Sequence, residues 1–127
     1  MTTGRITSEG EAALPLTVRR PGRGRQGPSV RLEAVIDTGF DGALTLPLAQ
    51  IETLRLPHVG SDQVQLGDGS LVDVQLFRAV IVFEKRRRGL LVEQAPTVPL
   101  MGTNLLWEYR LRVDFEPDGR VQVEALS

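Results

Sequence analysis

Apolar and polar residues alternate along most of this chain, and the alternation predicts a succession of short strands. Residues 12–18 (Ala-Ala-Leu-Pro-Leu-Thr-Val) read as a first strand, with Pro15 pushing it toward a sheet edge because proline cannot donate to a ladder. Val30, Leu32, Ala34 and Ile36 alternate next, and after a break Leu44, Leu46 and Leu48 resume the pattern. Leu48, Ile51 and Leu54 are also spaced for one face of a short helix, with Pro47 in its first turn and Pro57 beyond its end. Val64 and Leu66 lead into Gly67-Asp68-Gly69-Ser70, and Val72, Val74 and Leu76 alternate beyond it. Asp-Gly between two such runs is a strong hairpin signal. The nearly continuous apolar run 77–83 predicts a central strand, turned back by 85–89 into Leu90-Leu91-Val92. Thr103 or Asn104 is placed to cap a short helix carrying Leu105, Leu106 and Tyr109. Leu111, Val113 and Phe115, the turn Glu116–Gly119, and Val121, Val123 and Ala125 complete a mainly β domain with two very short helices.

Length and composition narrow the setting. With 127 residues the chain makes a single domain with a real core. A net charge of −1 does not mark a polyanion binder, and the absence of cysteine excludes disulfides, thiol catalysis and thiolate metal sites. The first residues contain no apolar signal core, and no apolar run approaches the roughly 18–20 residues of a bilayer span. A soluble cytoplasmic domain with residues 1–11 flexible is the expectation. The segment 19–28 reads as a mobile basic loop. Its Gly22-x-Gly24-x-x-Gly27 matches a dinucleotide fingerprint only superficially, because Pro28 and a strand follow where that motif requires a helix. Arg19, Arg20, Arg23 and Arg25 are the basis for a nucleic-acid reading, against which stand the net charge and the lack of interleaved aromatics. The charges at 85–88 read as a solvated turn, and Trp107 as a core or interface residue.

The candidate chemistry lies in Ala34-Val35-Ile36-Asp37-Thr38-Gly39-Phe40-Asp41-Gly42-Ala43, where an apolar strand runs into an acid, a hydroxyl and a glycine. A carboxylate at the end of a buried strand is costly unless hydrogen-bonded or used. His58 is the only histidine and no Gly-x-Ser-x-Gly elbow exists, so serine-triad chemistry has little to build on. Zinc ligands and calcium-loop spacing are missing, and no metal or other cofactor is expected. Carboxylate chemistry remains. Peptide hydrolysis by carboxylates takes two that share a proton, one activating water and one donating to the carbonyl oxygen. The chain holds a single Asp-Thr-Gly, so a dyad demands a second copy of Asp37 across a twofold axis.

Two motifs together resemble the retropepsin-like aspartic proteases in their short, single-domain bacterial form. The first is Val35-Ile36-Asp37-Thr38-Gly39; the second is Leu100-Met101-Gly102-Thr103-Asn104-Leu105-Leu106, about sixty residues on and past a glycine-tipped hairpin. Asp-Thr-Gly alone arises by chance in about a few per cent of chains this long; the ordered set, spanning roughly residues 30–115, is more specific. The resemblance implies a closed acid-protease β-barrel with one lobe per chain, acting as a homodimer on peptide or protein substrates. It implies that Asp37 is catalytic, that the Thr38 hydroxyls of two subunits cross-bond at the axis, and that Gly39 lets substrate backbone approach. It further implies that Gly67, Asp68, Gly69 and Ser70 tip a flap closing over bound peptide. Phe40 and Asp41 would border the substrate, and Leu100, Met101 and Gly102 would pack beneath the catalytic loop.

The chain departs from the family pattern at three places. A small residue usually follows Asp-Thr-Gly, where this chain has Phe40, although some short bacterial relatives are also bulky there. Retroviral members place an arginine directly after the second-motif glycine, paired with the acid at the position of Asp41; here Thr103 stands in its place, leaving Asp41 to Arg110 or another arginine. The loop 19–28 has no counterpart in the compact viral enzymes. Phe40 and the missing arginine support an alternative, a catalytically weak or inactive module of the same fold that binds peptides or dimerises.

Overall fold

The alternation resolves into ten strands and two short helices among the residues described by the computed structural model, 1–22 and 27–127. In chain order these are β1 (Thr2–Ile6), β2 (Ala12–Arg19), β3 (Ser29–Ile36), β4 (Leu44–Leu46), α1 (Leu48–Leu54), β5 (His58–Gln65), β6 (Leu71–Phe83), β7 (Arg86–Gln94), β8 (Leu100–Met101), α2 (Thr103–Leu106), β9 (Tyr109–Val113) and β10 (Arg120–Ala125). The fold is mainly β. Strand β2 pairs with β3, β3 with β8, β8 with β4, β4 with β7 and β7 with β6, and β6 returns to β2, so six strands form a ring. The β3–β8 and β4–β7 pairs are parallel and the other four antiparallel. Strands β1, β10 and β9 extend the sheet beyond β2, and β5 hangs from the outer half of β6.

Alternation decides what is buried. Leu14, Leu16 and Val18 of β2, Ala79, Ile81 and Phe83 of β6, and Val121 and Val123 of β10 enter one core, which Leu44, Leu46, Val92, Met101 and Leu105 complete. Ile51 and Leu54 bring α1 onto the same cluster. Each such side chain contributes about 1.5–3 kcal/mol by leaving water. Thr45 is the one buried polar residue described, and its hydroxyl accepts the Leu100 N–H at 3.0 Å, tying β4 to β8.

Several expectations require correction. Thr2–Ile6, expected to be flexible, forms a strand between β10 and β2 and buries Ile6. Strand β2 is interior rather than an edge. Pro15 is accommodated because it lies between Ala12–Ala13, which pair with β1, and Thr17–Arg19, which pair with β6, so no donor is demanded of it on that side. The turn expected over 85–89 contracts to Glu84-Lys85, both at positive φ (50° and 65°). A two-residue turn of this kind suits the twist of a hairpin, and it leaves Arg86, Arg87 and Arg88 in β7. Leu48 opens α1 instead of extending β4 and is exposed. Gly102, not Thr103 or Asn104, occupies the N-cap of α2; Tyr109 belongs to β9, and Phe115 lies beyond the end of that strand. Trp107 is not in the core: it is 75% exposed. Arg23, Gly24 and Arg25, central to the basic loop and the glycine motif, lie outside the described residues. No helix among the described residues is long and apolar enough to cross a membrane.

Candidate active site

Strand β3 delivers Asp37 to the point where its pairing with β8 runs out. Val35 and Ile36 stand in register with Leu100 and Met101, and the Asp37 N–H still donates to the Met101 carbonyl at 2.9 Å. The chain then turns. The Phe40 N–H returns to the Asp37 carbonyl at 3.1 Å, and the Gly39 N–H donates to Asp37 Oδ1 at 2.9 Å. That second bond is an Asx turn, in which a carboxylate mimics a backbone acceptor. It fixes the half-buried Asp37 side chain through one oxygen and leaves the other oxygen without a protein donor among the described residues. A Cβ at position 39 would stand 3.3 Å from that same Oδ1, so glycine suits this tight turn.

The loop after Asp37 is tied to the second motif. The Phe40 carbonyl accepts the Thr103 N–H at 2.9 Å and the Thr103 hydroxyl at 3.4 Å. The Gly42 carbonyl accepts the Asn104 N–H at 3.1 Å, and the Ala43 carbonyl the Gly102 N–H at 3.0 Å. Met101 and Gly102 are thus joined to Asp37 and Ala43 by backbone bonds that no side chain has to supply, while Leu100 stands one pair back, opposite Val35 and bonded to the Thr45 hydroxyl. Phe40 is half-buried, and its ring covers Gly42 and Gly102: a Cβ at Gly42 would stand 2.5 Å from Cζ, and one at Gly102 2.6 Å from Cδ2.

Asp41 is exposed and makes no ion pair among the described residues. Arg110 is engaged elsewhere, with Glu124 at 3.4 Å across the β9–β10 ladder. Asp41 instead borders two cavities. One, about 570 Å³, is also lined by Arg86, Arg88, Asn104 and Trp107. The other, about 580 Å³, lies between the Asp41–Ala43 segment and the β5–β6 hairpin, with Asp62 and Val64 of β5, Leu76 of β6 and Leu90 and Glu93 of β7 in its wall. Thr38, next to Asp37 in the chain, is exposed and lines an apolar groove with Leu106, Trp107, Leu111 and Leu126.

The hairpin projects from the body. Both strands are largely exposed at its outer end, including Leu66, Leu71 and Val72, and the space around Gly67 and Gly69 is open. Its tip is locally braced. Asp68 Oδ1 accepts the Ser70 hydroxyl at 2.6 Å and the Ser70 N–H at 2.9 Å, and these bonds hold the Asp68 carboxyl below its ordinary range. Gly69 takes φ +88°, a conformation that side chains disfavour. The candidate residues thus fall into two groups. Asp37 to Asp41 and Leu100 to Gly102 form one joined unit, while Gly67 to Ser70 stand apart at the tip of the hairpin.

Glu93 was not singled out by the sequence. Burial, and then the charges of Asp41 and Asp62, push its carboxyl above the ordinary range. An acid directly after the apolar run Leu90-Leu91-Val92 was the available signal. Among the described residues no three acidic or histidine side chains gather as metal ligands. His58, at the start of β5, is exposed; its ring bonds Gln75 at 2.7 Å and meets Phe77 edge-on. Neither a scan of known protein-family models nor a search of curated proteins finds a match for this chain.

Proposed function

We propose that this chain is one subunit of a homodimeric aspartic endopeptidase of retropepsin-like barrel fold, with Asp37 and its twofold copy as the catalytic pair. The observation that carries the reading is Asp37 itself: a carboxylate at a strand end, oriented by Gly39 through one oxygen, with its loop tied to Gly102–Asn104 by backbone bonds. Such rigid placement is what a catalytic carboxylate needs.

In the reaction the pair shares one proton. The ionised member takes a proton from water as the water oxygen bonds to the peptide carbon, and the protonated member donates to the carbonyl oxygen, giving a gem-diol. Collapse of that intermediate breaks the C–N bond and passes a proton to the departing nitrogen. The β5–β6 hairpin is the flap, and the cavity between it and Asp41–Ala43 receives part of an extended substrate. The Phe40 ring packs within its own loop, over Gly42 and Gly102.

Asp37→Asn tests the proposal. The substituted side chain keeps an oxygen for the Gly39 N–H but cannot serve as base. Cleavage of any peptide by the wild type and equally well by this variant ends the assignment.

A further inference from the structure

From the exposed face beside Asp37 we infer that the second subunit docks on the apolar groove of Thr38, Leu106, Leu111 and Leu126, with Trp107 as the anchor of the contact. The inference rests on the dyad reading and specifies the surface that reading leaves open. Two Asp37 carboxylates can share a proton only within hydrogen-bonding distance, so the outward surface next to Asp37 must come against its own copy. Thr38 is the adjacent exposed residue, and the groove that it lines is predominantly apolar, with Glu108 its one charged residue.

Trp107 stands 75% exposed and borders both this groove and the polar cavity containing Asp41, Arg86 and Arg88, so it forms a ridge between two hollows. A ridge beside a groove on one surface is self-complementary under a twofold: each indole can enter the partner's groove. An aromatic side chain brings about 150–250 Å² to a contact, and Leu126, 55% exposed, adds to it beside Leu106 and Leu111. A stable dimer buries about 800 Å² per partner, to which Trp107 and Leu126 contribute the exposed apolar part of this patch. The other strongly exposed aromatic, Phe115, lines a cavity with Ile6 and Pro117 that shares no residue with the Asp37 loop.

Trp107 is the only tryptophan in the chain, so intrinsic fluorescence reads its surroundings directly. Sedimentation and emission are followed on the wild-type chain over a dilution from micromolar to nanomolar. The expected result is a shift of emission to shorter wavelength that tracks dimer formation. Trp107→Ala and Leu126→Ala are each expected to weaken the dimer, Trp107→Ala by about tenfold or more. A dimer whose emission equals that of the monomer, or whose dissociation constant is unchanged by Trp107→Ala, overturns this interface and leaves the dyad reading standing. A chain that stays monomeric throughout, with active peptidase, overturns both. An emission shift on adding peptide to a species that remains monomeric assigns Trp107 to substrate and overturns the interface.

Discussion

Phe40 and Gly102 are matched to each other: the Phe40 ring lies where a Cβ at position 102 would be, and the Phe40 carbonyl stands equally near, each at 2.6 Å from that Cβ. At Gly42 the nearest obstacles are side-chain atoms only, Phe40 Cζ and Cε1 and Glu93 Oε2. The bulky residue after Asp-Thr-Gly is thus admitted by glycines on both sides of it.

That difference separates two alanine substitutions. Gly42→Ala is expected to cost about 1–3 kcal/mol through overpacking. Much of the cost should disappear in the double variant with Phe40→Ala, giving a coupling of about 1 kcal/mol or more. Gly102→Ala should be the more damaging and recover little in the same background, because the carbonyls of Phe40 and Gly42 obstruct it and backbone does not move aside. Urea denaturation of the single and double variants reads both couplings; equal recovery at the two positions would contradict the geometry.

Asp37 separates activity from stability. Asp37→Asn retains the acceptor for the Gly39 N–H and should unfold within about 0.5 kcal/mol of the wild type, whereas Asp37→Ala loses that bond at a cost of about 1 kcal/mol. Both should abolish peptide cleavage. Thermal unfolding beside a peptidase assay makes the comparison, and residual activity in either variant would contradict the proposed function.

The tip of the hairpin should show the opposite pattern. Gly69→Ala forces a side chain into φ +88° at a cost of about 1 kcal/mol. Because the tip touches no part of the core, the loss should stay local: faster hydrogen exchange at Leu66 to Ser70, and an unchanged global denaturation midpoint. Turnover should fall if the hairpin must order over substrate. A lowered global midpoint would mean that the tip is coupled to the core.

Periodicity made the ring strands legible, because Leu14, Leu16 and Val18, or Ala79, Ile81 and Phe83, place an apolar residue inward at every second position. It could not reveal β1, where Thr-Thr-Gly-Arg-Ile offers one buried side chain and the strand is held by neighbours distant in sequence. Arg86 to Arg88 looked like a turn because charge and exposure correlate, yet a two-residue turn at positive φ needs only Glu84 and Lys85. The Asp37 loop and the 100–106 segment were each visible as motifs. Their joining through Phe40, Gly42 and Ala43 carbonyls was not, since backbone bonds carry no residue signature. For Trp107 the sequence left core and interface both open, because hydrophobic character alone cannot distinguish a core position from an exposed one; its 75% exposure removes the core reading.

Glu93 should mark the cleft by its pH response. Its carboxyl is raised above the ordinary 4.5, first by burial and then by Asp41 and Asp62, so the native state holds that proton more tightly than the unfolded chain does. The sign follows from linkage: ionising Glu93 costs native stability above the raised value, the cost shrinks as pH falls through it, and none remains well below 4.5. Glu93→Gln should therefore be more stable than the wild type at neutral pH, by no more than about 1 kcal/mol given the partial solvent screening. The advantage should vanish in acid. Asp41→Asn removes one of the two charges acting on Glu93 and should shrink the advantage at neutral pH. Denaturant unfolding across this pH range measures both effects, and a Glu93→Gln variant less stable at neutral pH than in acid, relative to wild type, would show that the carboxylate is stabilised in the cleft instead of strained there.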